Sequence, residues 1–163
     1  MSERHDPRLL EPGHLPTPFS AQQIREATPD GRRVVVRVEP AGQPAAVRAT
    51  VFTDPDADGV TLVRTTLDAD HAPVGEDHRE RTTWLELQGH ASFPADRSVL
   101  ERVRLELGGE ELTCLRYTVG DGDAVDQYWF AVERPGMPVL LESRRGPELV
   151  VRVTVVEDEV GPA

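Results

Sequence analysis

A chain of 163 residues, 38% hydrophobic and 29% charged, has the length of one domain and enough apolar content for one core. Its net charge of −11 argues against nucleic acid or an anionic membrane as the main partner. The single cysteine, Cys114, excludes an intramolecular disulfide and any multi-cysteine zinc or iron–sulfur site.

All 18 basic residues are Arg, and the chain has neither Lys nor Asn. Schiff-base, pyridoxal-phosphate and P-loop chemistry are thereby removed, as is N-glycosylation. No apolar run is long enough to span a membrane. The opening MSERHDPRLLEPGHLP has no apolar signal core, so a cytoplasmic location is expected. No cofactor motif is present.

Residues 1–18 carry Pro7, Pro12, Gly13, Pro16 and Pro18 with little periodic apolar content, and read as a flexible arm dispensable for folding. A single β-rich domain is expected over 19–158, followed by a tail at 159–163. Ser20 and Gln23 have capping-box spacing, and Phe19 and Ile24 occupy the positions of a hydrophobic staple, which predicts a short helix over 20–27. From Arg32 the apolar period becomes two. Val34, Val36 and Val38, then Val47, Ala49 and Val51, then residues 60–67, predict an antiparallel meander. Residues 68–78 (DADHAPVGEDH) read as a loop. Thr83 and Glu86 repeat the capping spacing and predict a second short helix over 83–88. Strands follow around 99–107, 112–119, 125–132, 139–142 and 148–156, separated by Gly- and Pro-bearing turns. No alternation of strand and helix points to a parallel sheet.

The turn Asp54-Pro55-Asp56-Ala57-Asp58-Gly59 opens like a calcium loop, but Leu62 and Thr65 stand where the closing ligands belong. An acidic hairpin turn without metal is expected, and calcium should not matter to the fold. His90, Ser92 and Asp96 have the residue types of a hydrolase without a nucleophile-elbow pattern. Cys114, in mid-strand, reads as a buried inert thiol. The strand 125–132 is apolar on both faces: Trp129 points one way, Tyr128 and Phe130 the other. One face meets the core, and the other needs a helix, a second subunit or a ligand.

The runs LELGGEELTCLRYTV, DQYWFAVERPGMPVLLE and RGPELVVRVTVV, within residues 105–156, resemble the C-terminal half of curved-sheet domains of the lipoprotein-carrier type. Trp129-Phe130-Ala131 followed by Pro135-Gly136-Met137-Pro138-Val139 carries the likeness. The resemblance implies a curved sheet covered by short helices over an apolar cleft, with no catalytic residues to carry across. The N-terminal half is similar to uncharacterised proteins of high-GC bacteria, which implies no function.

The expected fold is therefore mainly β: a single curved antiparallel sheet or open barrel of about eight to ten strands with two short helices. A two-sheet sandwich is the alternative. The expected function is a non-enzymatic binding protein whose cleft takes an apolar small molecule, with Trp84, Tyr117, Tyr128, Trp129 and Phe130 as candidate ligand-binding residues. Two other readings stay open: an interaction module pairing through its sheet as a homodimer, and a small hydrolase or cyclase using His90 or an acid.

Overall fold

The computed structural model describes residues 6–160. The outer parts of the expected arm and tail, residues 1–5 and 161–163, lie outside the described residues. The chain runs α1 (Ala21–Glu26), β1 (Arg32–Pro40), β2 (Ala46–Thr53), β3 (Gly59–Leu67), β4 (Pro73–Thr83), α2 (Trp84–Gly89), a 3₁₀ turn (Ala95–Arg97), β5 (Ser98–Leu107), β6 (Glu110–Asp121), β7 (Ala124–Ala131), β8 (Leu140–Arg145) and β9 (Glu148–Glu159).

The nine strands form one antiparallel sheet in the order β4-β3-β2-β1-β9-β8-β7-β6-β5. It is an open sheet, because β4 and β5 are its two edges. A closed barrel and a two-sheet sandwich are both set aside. Two meanders, β1–β4 and β5–β9, are joined by the pairing of β1 with β9 at the centre. The connection from β4 to β5 must therefore travel from one edge of the sheet to the other. It carries α2 and the 3₁₀ turn, and α2 packs on α1.

Local chemistry sets both helices. Ser20 caps α1 with a full capping box: its Oγ accepts from the Gln23 amide and the Ser20 amide donates to Gln23 Oε1. Thr83 caps α2 by accepting from the Glu86 amide. Neither helix exceeds two turns, so tertiary contacts must hold them. Gln88 supplies many of these. It is buried; its Oε1 accepts from the Ala21 amide at 2.9 Å, and its Nε2 donates to Pro7 O at 2.8 Å and Thr17 Oγ1 at 3.0 Å.

Two segments differ from their sequence reading. Residues 73–83, the first six of them expected in a loop, form edge strand β4. Nearly all of it is exposed, so no buried face imprinted a period of two on its sequence. The described part of the expected arm turns back on itself, Thr17 donating to Arg8 O, and is tied to the domain. Leu15 donates to Phe93 O, Ala95 donates to Gly13 O, and the Tyr117 hydroxyl donates to Pro16 O at 2.6 Å. Thr17 and Pro18 are buried.

Strand alternation divides the sheet into a face that meets the helices and an opposite face. Arg32, Val34, Phe52, Leu62, Tyr128 and Phe130 are on the first. A bulge opposite Val35 and Val36 brings Asp158 onto this face as well. There its carboxylate takes the buried Arg32 guanidinium in a fork, at 2.9 Å to Nε and 2.7 Å to the second terminal nitrogen. The remaining Arg32 nitrogen donates to Ala27 O and Pro135 O, at 3.2 and 2.7 Å. One side chain thus joins β1, β9, the end of α1 and the β7–β8 loop. A second, small cluster of Val35, Ala49 and Leu67 is buried on the opposite face.

Candidate functional site

Between the helices and the sheet lies a cavity of about 250 Å³. Its floor is Val34, Phe52, Leu62 and Phe130; Ile24, Leu87 and Ala91 form its roof. Met137 and Pro138, from the loop after β7, close one side. This surface is largely apolar, and its walls come from both meanders and both helices. Of all the lining side chains only Arg64 and His90 are exposed, so these two mark the mouth.

Topology explains their position. Arg64 follows Leu62 by two residues on β3 and so shares its face. His90 is the C-cap of α2. Arg64 donates to Glu80 Oε2 on β4 at 2.7 Å. That hydrogen bond, Arg64's charge, and more weakly the charges of His78 and His90 hold the Glu80 carboxyl below the usual carboxylate range. The deeper polar groups are Thr28, Gln88, Arg32 and Tyr128. The first three are bonded within the protein. The Tyr128 hydroxyl has no hydrogen-bond partner among the described residues. Burial, and secondarily Asp126, push its pKa up, so the neutral phenol faces the cavity.

The five candidate aromatics separate. Tyr128 and Phe130 line the cavity. Trp129 points to the opposite face, opposite Arg116 on β6 and Leu140 on β8 in the register, and is buried there. Tyr117 is wholly buried in the aromatic cluster, 5.2 Å from Phe93 and 5.6 Å from Phe130. Trp84 is buried at the β2–β3 turn, its Nε1 donating to Asp56 O at 2.8 Å. The mouth residues Arg64 and His90, and the apolar residues Phe52, Leu62, Leu87 and Met137, were not among the candidate ligand-binding residues.

The hydrolase types do not converge on one another. His90 is at the cavity mouth, Asp96 is exposed in the 3₁₀ turn, and Ser92 Oγ lies 2.9 Å from His14 Nδ1. His14 Nε2 is 3.1 Å from Glu11, but Ser92 is not among the residues lining the cavity described above, and its amide donates to Gly89 O. In the acidic turn, Asp56 Oδ1 accepts from the amides of Asp58 and Gly59, and its other oxygen pairs with Arg81. These bonds, the Gly59 amide's first, hold its pKa below the ordinary value. Among the described residues no group of three or more His, Cys, Asp or Glu is placed to hold a metal ion. Cys114 is buried, and burial raises its thiol pKa.

No family model and no curated protein matches the chain. Solved structures do. MucB superposes with a TM-score of 0.58 at 14% identity, over 87% of this chain and 57% of MucB. The chain thus spans little more than half of MucB's length, and at this identity the likeness is one of fold. A putative outer membrane lipoprotein-sorting protein domain from Vibrio parahaemolyticus aligns over 88% of this chain and 92% of its own, at 12% identity and a TM-score of 0.29. The likeness to MucB agrees with the curved-sheet type that residues 105–156 resemble.

Proposed function

We propose that this protein is a non-enzymatic binding protein that takes one apolar chain or ring into the cavity between its helices and its sheet. The supporting observation is the cavity itself: about 250 Å³ walled by aliphatic and aromatic side chains and open at one polar mouth. A void of that size in a natural core forfeits packing contacts, since protein interiors are otherwise close-packed. Small-molecule sites are typically mostly apolar concavities with a few placed polar groups, from about 300 Å³ upward. The volume here suits a small ligand, or one chain of a larger one. Among the described residues, the cavity lining sets no nucleophile beside a base, which supports binding over chemistry.

The test is a neutral apolar fluorophore, N-phenyl-1-naphthylamine, titrated into the protein. Saturable binding is expected in the wild type. Ala91→Leu fills part of the roof, and should weaken binding by about tenfold or more while leaving the melting temperature unchanged or higher. A wild type that does not bind the probe, or an Ala91→Leu variant that binds it as well as wild type, would overturn the proposal.

A further inference from the structure

We infer that the cavity mouth reads an anionic head group, so that the bound molecule is a single-chain amphiphile carrying a carboxylate or phosphate between Arg64 and His90. This rests on the apolar-chain reading above and adds the ligand's charge and its orientation.

Charge sign is the first ground. The chain carries 29 acidic residues and a net charge of −11, yet none of the side chains lining the cavity is a carboxylate. Three of them are basic: Arg32, Arg64 and His90. Arg32 is not available, because Asp158 and two backbone carbonyls occupy its fork. Arg64 is different. It spends one terminal nitrogen on Glu80, and its Nε and second terminal nitrogen have no acceptor among the described residues. The His90 ring likewise has no hydrogen-bond partner among them.

Position is the second ground. Arg64 and His90 are the exposed lining residues, with apolar wall behind them. A chain entering past them leaves its head beside the Arg64 guanidinium and the His90 imidazole, both in contact with water. An arginine fork suits a carboxylate or phosphate geometrically, and at the mouth neither partner is fully desolvated. A cationic head would meet the same guanidinium, with only the already paired Glu80 carboxylate beside it to offset the charge. The cavity of about 250 Å³ suits one medium chain.

Isothermal titration of the intact protein with decanoate, decyl phosphate, 1-decanol and inorganic phosphate separates the outcomes. Decanoate or decyl phosphate is expected to bind about tenfold or more tightly than decanol, the scale of one charge-assisted hydrogen bond. Inorganic phosphate should not bind at millimolar concentration. Arg64→Gln should bring the ratio of decanoate to decanol affinity below about two, and His90→Gln should lower it in the same direction. Both side chains are exposed, and melting temperatures verify that the variants fold. Equal affinity for all three decyl ligands overturns this inference and leaves the cavity reading standing. Inorganic phosphate binding as tightly as decanoate overturns it in favour of a free-anion site. No binding of any decyl ligand removes the cavity reading and this inference together.

Discussion

Tyr117 is fully buried, donates its hydroxyl to Pro16 O and is ringed by Phe93 and Phe130. Burial is the largest cause of its raised pKa, as it is for Tyr128 and Cys114. Because the chain has no Lys, these three groups dominate its alkaline titration short of the arginines. In the unfolded chain a phenol ionises near pH 10, while the folded state keeps its proton. The unfolded state then binds fewer protons, so stability falls as pH rises. The tyrosine contribution is therefore complete below about pH 10 and is lost as pH climbs toward the raised folded pKa. Urea denaturation between pH 8 and 11 should show this decline. Tyr117→Phe should lose about 1 kcal/mol at pH 8, the net worth of the hydrogen bond, and decline less steeply above pH 10. An unchanged slope would show that Tyr117 ionises in the fold as it does unfolded. The same scale shows why Arg32 escaped sequence reading. An arginine at the head of a strand looks like solvated charge, and its partner Asp158 is 126 residues away.

At the scale of elements, legibility followed burial and local chemistry. The capping box of α1 was readable because every group in it lies within four residues. β1, β2 and β3 were readable from their β-branched alternation between turn residues, although both faces of this part of the sheet hold buried residues. β4 offered neither signal, for only Thr82 is buried along it. Its run of Glu76, Asp77, Arg79, Glu80 and Arg81 belongs to an edge strand, where charge discourages pairing with another chain. The N-terminal segment shows the opposite failure. Its prolines and glycine suggested mobility, whereas the segment turns back on itself and its carbonyls accept from Gln88, Tyr117 and Ala95. Deleting residues 1–17 would leave the Gln88 amide and the Tyr117 hydroxyl buried without those partners. The expected cost is about 2–6 kcal/mol in urea denaturation, at about 1–3 kcal/mol per orphaned group. A truncated chain as stable as the full one would restore the dispensable arm.

For the molecule as a whole, the two-faced character of β7 was visible from its residues, and both faces are buried: Trp129 is 7% exposed and Phe130 3%. Which face meets the helices was not visible, because it depends on sheet order and on the route of the connection carrying α2. Arg64 was missed, and His90 was read only as a hydrolase candidate, for the same reason: they belong to β3 and α2, and nothing in the intervening residues announces that they share a mouth. Trp129 tests the division. Trp129→Ala should cost about 3–5 kcal/mol as a buried aromatic, yet leave naphthylamine affinity within about twofold, since the ring lies behind the cavity floor. A tenfold loss of probe binding in a folded variant would place Trp129 in the site.

The seam between β1 and β9 has a further consequence, which concerns the order of synthesis. The first meander and both helices are made before β9, the last strand, and until then β1 has one hydrogen-bonding edge without its partner. The cavity floor is also incomplete, lacking Phe130, and Arg32 lacks Asp158. A nascent chain therefore carries an open strand edge and uncovered apolar surface while β2 to β8 are being made, a state in which β-proteins are prone to aggregate. Closing the centre of the sheet requires contacts across more than a hundred residues, which makes it a slow, high-contact-order step. In this protein the ribosome completes the middle of the sheet last.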